Sequence, residues 1–160
     1  MKLLVLSDSH GASENLTDII RQERDSDRII FLGDGERDFD LALAETGIDP
    51  YDPHCRKKVS QVCGNCDIFS HEPACIIEEI EGMRVYVTHG FRENVKYGLS
   101  ELVRAAADRE CEIALFGHTH REHLSYESGI ACFNPGIVLH RSYGVVYIEN
   151  GDASFELLEI

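Results

Sequence analysis

Apolar residues along this chain come in short runs, and the runs end repeatedly on the same few polar types. Residues 2–7 are leucine-rich and β-branched enough for a fully buried strand, which gives way to Asp8-Ser9-His10-Gly11. Ser13 can then cap a helix to about residue 24, with Leu16, Ile19 and Ile20 as its buried stripe. Residues 28–32 form a second buried run, closed by Gly33-Asp34-Gly35. This β-α-β opening predicts two parallel strands joined by a right-handed crossover, which puts both acidic endings on the carboxyl edge of one sheet.

The same punctuation continues downstream. Residues 38–46 read as a short helix closed by Gly47, and residues 48–56, with Pro50 and Pro53, as a loop. Residues 57–62 are strand-like and deliver Gly64-Asn65-Cys66-Asp67. Residues 75–80 and 83–88 flank Glu81-Gly82 as a hairpin, whose second strand runs into His89-Gly90. Ser100 can cap a helix to about residue 109 carrying Leu102, Val103 and Ala106, and residues 113–116 lead to Gly117-His118-Thr119-His120. Four further strand-like runs follow at 123–127, 130–133, 143–149 and 153–159, with turns at Ser128-Gly129 and Asn150-Gly151. Asn-Gly is a strong hairpin signal because both residues tolerate the positive φ of a type I′ turn. The expectation is one α/β domain over residues 1–160, parallel at the start and antiparallel at the end, with two sheets and helices outside.

Composition narrows the function classes. In 160 residues, 43% hydrophobic content is enough for a sizeable core. A formal net charge of −14 excludes a basic nucleic-acid groove but leaves room for a phosphate ester at a metal site, where bound cations invert the local field. No apolar run approaches the roughly 18 residues of a membrane span, and the first apolar stretch meets Ser7-Asp8 too soon for a signal peptide, so a soluble cytoplasmic protein is expected. The six cysteines are expected to be reduced: Cys75, Cys111 and Cys132 lie in or beside apolar runs, and Cys63-Gly64-Asn65-Cys66 lacks the second pair a structural zinc site needs.

Candidate chemistry comes from gathering the run endings. Asp8-x-His10, Asp34, Asn65, His89 and His118-x-His120 close five separate apolar strands with oxygen or imidazole donors. Singly, each has a plain structural reading as a turn or cap residue or a satisfied core histidine. Together they supply what two adjacent divalent ions need, including a carboxylate to bridge them.

In this order and spacing, Asp8-Ser9-His10, Gly33-Asp34, Gly64-Asn65, His89 and Gly117-His118-Thr119-His120 resemble the calcineurin-like metallophosphoesterases. Asn134-Pro135-Gly136 and the Gly-Asn-Cys-Asp variant at residues 64–67 resemble the small bacterial and archaeal phosphodiesterase branch. The resemblance implies a four-layer α/β/β/α sandwich with two mixed sheets flanked by helices. It also implies two divalent ions, manganese first, with nickel, iron or zinc as alternatives. Asp8, His10 and His120 would hold one ion and Asn65, His89 and His118 the other, with Asp34 bridging. A hydroxide held between the ions would then attack a phosphodiester in line with its leaving oxygen.

Two departures bear on catalysis. Cys66 stands where much of the family has a histidine credited with protonating the leaving group, and a thiol near pKa 8.5 is better suited to packing. Phe91 stands where relatives often carry another histidine, which suggests an apolar wall. Asn65, through its amide, and Asp67, by orienting a ligand, are the catalytic candidates besides the metal ligands. His54, His71, His123 and His140 are expected on the surface or in packing, with His123 and His140 nearer the site. The partner is expected to be a small phosphate ester, with no stable nucleic-acid binding, no membrane and a homo-oligomer conceivable. A phosphomonoesterase with the same site, and a non-catalytic scaffold resembling the retromer subunit of this fold, are the alternatives.

Overall fold

The computed structural model describes residues 1–55 and 57–160, so Arg56, where the expected 48–56 loop ends, lies outside the described residues. In chain order the elements are β1 (Lys2–Leu6), α1 (Ser13–Gln22), β2 (Arg28–Phe31), α2 (Glu36–Thr46), β3 (Lys58–Gln61), β4 (Cys75–Ile80) and β5 (Met83–Thr88). There follow α3 (Ser100–Ala107), β6 (Ile113–Leu115), β7 (Glu122–Glu127), β8 (Ile130–Pro135), β9 (Ser142–Glu149) and β10 (Asp152–Glu159), with 3-10 turns at Val95–Tyr97 and Val138–His140.

Two mixed five-stranded sheets result, ordered β10-β9-β1-β2-β3 and β4-β5-β6-β8-β7. In the first, β1, β2 and β3 are parallel, and β9 returns antiparallel on the free side of β1, pairing Leu4 with Val145 while Ile29 faces it from β2. In the second, β5, β6 and β8 are parallel, with β4 and β7 as antiparallel edges. Antiparallel pairing, expected at the 75–88 hairpin and at the end of the chain, thus appears in both sheets.

The strand period of two sorts the apolar residues into layers. Leu3, Val5, Ile30 and Leu32 of the first sheet meet Val85, Val87, Ile113, Leu115 and Phe133 of the second in a core between the sheets. The alternate residues, Leu4, Leu6, Ile29 and Phe31, face Leu16, Ile19 and Ile20 of α1 and Phe39 and Leu43 of α2. On the other side Tyr86, Ala114, Phe116 and Cys132 pack against Leu102 and Ala106 of α3. The four layers are thus helix, sheet, sheet, helix. At the end away from the loops described below, Glu78 of β4 accepts hydrogen bonds from Arg28 (2.8 Å) and Ser60 (2.6 Å), stitching the two sheets.

Helix starts differ from the expectation. Ser13 and Ser100 are the first helical residues, and Ala12 and Leu99 hold the cap positions without a side-chain cap. Entry into α1 is fixed instead by α2, where Asp38 accepts hydrogen bonds from the Ser9 hydroxyl and the Gly11 amide, both at 2.7 Å. α2 itself begins at Glu36, earlier than the local pattern suggested, because its amides are capped by Asp67 from a distant loop.

Candidate metal centre

Because β1, β2 and β3 run parallel in one sheet and β5 and β6 in the other, their carboxyl ends open on one edge of the molecule. Asp8 and His10 follow β1, Asp34 follows β2, Asn65 follows β3, His89 follows β5, and His118 and His120 follow β6. Five of these residues have left-handed backbone: Asp8 (φ 57°), His10 (45°), Asp34 (59°), His118 (66°) and His120 (58°). Non-glycine residues there cost of order 1 kcal/mol or more each and persist where surrounding contacts hold them.

The donors gather in two clusters. In one, His10 Nε2 and His120 Nε2 lie 3.2 Å apart, and both face Asp8 Oδ1, at 3.6 and 3.2 Å. Asp8 is fully buried; its Oδ2 accepts from the Ser7 hydroxyl and the His118 amide, whereas Oδ1 has no hydrogen-bond partner. A buried carboxylate oxygen without a donor is costly unless a cation meets it. The other cluster joins Asp34, His89 and His118. His89 Nδ1 donates to the Leu32 carbonyl at 2.8 Å, which leaves Nε2 facing Asp34 Oδ2 at 3.3 Å and Asn65 Oδ1 at 3.2 Å. An imidazole nitrogen aimed at two oxygens is satisfied by a proton or by a metal ion.

Asp34 stands between the clusters. Its Oδ1 accepts from the Cys66 amide at 2.7 Å, and its Oδ2 lies 3.3 Å from His89 and 3.9 Å from His10. Burial pushes its pKa up, but the His89 contact and the Cys66 amide more than offset this and hold the carboxyl well below the usual range. The same pairing raises His89 against the opposing pull of burial. His118 goes the other way: burial, then the His89 and Lys96 charges, push it down to about 4, so its imidazole is neutral and keeps a lone pair at physiological pH. His118 and His120, one residue apart, thus face different clusters.

The supporting contacts are tight. Asp67 accepts four backbone hydrogen bonds, from Asp34, Gly35, Glu36 and Gly64, at 2.8–3.0 Å. It ties the β2 and β3 loops together and caps α2, so its oxygens face amides rather than the donor clusters. A Cβ on Gly64 would stand 2.0 Å from Asp34 Oδ1, and one on Gly117 would stand 2.0 Å from Ser7 Oγ and 2.8 Å from Asp8 Oδ2. Only glycine lets these loops approach so closely. Fully buried Asn134 donates to the Gly117 carbonyl at 2.9 Å and to Thr119 Oγ1 at 3.1 Å, bracing the loop that carries both histidines.

Of the two departures noted in the sequence, one expectation changes and the other holds. Cys66 does not pack; it is exposed, with Sγ within reach of His10 and Asp34, and desolvation followed by the Asp34 carboxylate pushes its thiol up to about 11. Phe91 does form a wall, its ring edge-on to His118 with centroids 5.4 Å apart. His123 sits beside the site, against Phe116 and bonded to Ser125 at 2.9 Å, while His140 is exposed. All six cysteines are free. The bracing by Asp38 and Asn134 was not anticipated; the aspartate's place near a helix start and the asparagine at a strand end were the available signals.

The family model for the calcineurin-like phosphoesterase superfamily domain matches residues 1–151. The chain belongs to that superfamily. Among curated relatives, it is 29% identical to the probable metallophosphoesterase YsnB of Bacillus subtilis (strain 168), covering 96% of this chain and 88% of that one. Of solved structures, a conserved uncharacterized protein of Streptococcus pneumoniae TIGR4, a predicted phosphoesterase, superposes with a TM-score of 0.78 at 23% identity, covering 99% of this chain and 88% of that one. Vps29 of Entamoeba histolytica in complex with zinc gives 0.76 at 16% identity, covering 99% of each. A novel archaeal phosphodiesterase gives 0.71 at 18%, covering 99% of this chain and all of that one. At these identities the structures establish the fold. Calcineurin-like phosphoesterases use divalent metal ions, and this member brings candidate ligands for them together on one edge. Among the described residues no helix is long and apolar enough to cross a membrane.

Proposed function

We propose that residues 1–160 act as one metallophosphoesterase domain that hydrolyses phosphodiesters with two divalent ions, manganese being the first candidate. The observation that carries this is the shared position of Asp34 Oδ2 between two donor clusters, one of which holds the unpartnered Asp8 Oδ1. Asp8, His10 and His120 are the ligands assigned to one ion, His89, His118 and Asn65 those assigned to the other, and Asp34 is the bridge. When bound, the ions supply Lewis acidity, which lowers the pKa of water toward neutrality and offsets charge on the phosphoryl oxygens.

The chain's own part is positioning. The Asn65 amide now donates weakly to Cys66 Sγ at 3.3 Å and is free to take a phosphoryl oxygen instead. Phe91 shields His118 from bulk water on the cleft side. Asp67 fixes the loops carrying Asp34 and Asn65 and contacts no reacting atom in this assignment. Cys66, whose thiol stays protonated, is not given the acid role.

The test strips the purified protein of metal, restores manganese, nickel, zinc or magnesium, and follows an aryl phosphodiester and its monoester. Metal-dependent diester cleavage lost in Asp34→Ala and His118→Ala supports the proposal; monoester preference keeps the site and overturns the substrate class. The likeness to Vps29 makes the scaffold reading the second one, and metal binding without turnover of either ester would favour it.

A further inference from the structure

Three clefts adjoin the donor clusters, one of about 270 Å³ at Asn65, His89, Phe91 and Arg92 and two larger ones whose walls differ in charge. One, of about 570 Å³, runs from His10 and Asp34 past Glu36, Asp38 and Asp67, with Arg37 as its cation, to Ile68 and Phe69. Those two apolar side chains are 77% and 93% exposed, an unusual display for their type. The other cleft, of about 530 Å³, is floored by Val95, Leu99 and Phe116 and rimmed by Lys96 and Arg121. Its wall includes Thr119, the residue between His118 and His120, and one carboxylate, Glu122.

The two cations of the second cleft are unengaged. Lys2, Arg28 and Arg141 lie within 4 Å of carboxylates, and Arg84 donates to the Arg109 carbonyl. Among the described residues, the ion pairs and hydrogen bonds include no partner for the Lys96 ammonium or the Arg121 guanidinium. On a chain of net charge −14, most surface positions repel an anion. A cleft with an apolar floor and two free cations at its rim, walled in part by the residue between His118 and His120, does the opposite.

We infer that this cleft receives one arm of the diester and that the arm is an apolar body bearing its own anionic group, a carboxylate or a further phosphate. The other arm is uncharged and lies along Ile68 and Phe69, where the acidic wall rejects an anion. The substrate class is therefore an unsymmetrical phosphodiester. This rests on the diesterase reading and adds the polarity with which the substrate lies across the centre.

The test uses the manganese-loaded protein and two matched esters, 4-nitrophenyl 4-carboxyphenyl phosphate and 4-nitrophenyl phenyl phosphate. The carboxylate arm is expected to raise kcat/KM by about tenfold at low ionic strength, the scale of one charge-assisted contact. That ratio should fall with added salt and collapse toward one in the Lys96→Glu/Arg121→Glu variant, whose exposed substitutions leave the core intact by circular dichroism. Equal kcat/KM for the two esters, or a preference that survives the double substitution, overturns the inference. Should neither ester be cleaved, the diesterase reading fails separately, and NMR shift mapping of the carboxyphenyl ester on protein loaded with diamagnetic zinc in place of manganese decides the cleft. Shifts centred on Lys96, Thr119 and Arg121 support it; shifts elsewhere, or none, overturn it.

Discussion

Asp34 serves both donor clusters with one carboxylate, whereas His10 and His120 serve one, and the difference is measurable. Asp34→Ala is expected to lower diester turnover by about a hundredfold or more and to reduce bound metal, counted by atomic emission, from two ions per chain toward one or none. Asn134 offers a second, separable test. Asn134→Ala removes one of two donors to the Gly117 carbonyl, the other being the Thr119 amide, together with the bond to Thr119 Oγ1. Unfolding free energy should drop by about 1–3 kcal/mol in urea, and metal affinity by roughly 10- to 100-fold in a titration, although Asn134 belongs to neither donor cluster. At this scale the sequence was informative where chemistry coincides with a run ending. Asp8, Asp34, His89 and His118 each terminate an apolar strand, and their convergence follows from parallel pairing. The bracing by Asn134 was hidden because its partner is a main-chain carbonyl 17 residues away, which no side-chain pattern encodes. The left-handed backbone at five of the candidate ligand positions was equally hidden, since aspartate and histidine carry no obligation to it.

Strands were read from the sequence more faithfully than helix ends. The hairpins turning at Glu81-Gly82 and Asn150-Gly151 have positive φ at both residues, as expected for their sequences, and β4 and β5 lie on the anticipated residues. Helix starts were misplaced because their satisfaction is tertiary: Asp67 caps α2 from another loop, and Asp38 holds the entry to α1. The contact between β9 and α1 carries a pH prediction of its own. Buried Tyr143 donates to Glu23 at 2.9 Å, and desolvation together with that carboxylate pushes its phenol from near 10 up to about 12. A proton held more tightly in the folded state stabilises it below the unfolded pKa, and that contribution is lost as pH rises through the folded one. Stability measured by urea melts should therefore fall between about pH 10 and 12, and this slope should be shallower in Tyr143→Phe, the remainder coming from groups such as buried Tyr86.

For the whole molecule, a centre built from strand ends of both sheets couples occupancy to global stability. An ion that binds the folded chain alone, present at a hundred times its dissociation constant, should add about 2.7 kcal/mol per site. Calorimetry should show a raised Tm that a chelator reverses, and Asp34→Ala should blunt the rise. The order of strands in the first sheet has a different kind of consequence. β1, at residues 2–6, pairs with β2 early in the chain, but its other edge waits for residues 142–149. During synthesis that bare edge stays open until residues 142–149 have left the ribosome, the condition under which strands find wrong partners. Such non-local closure marks a slow folder, so refolding yield should fall with protein concentration well before equilibrium stability becomes limiting.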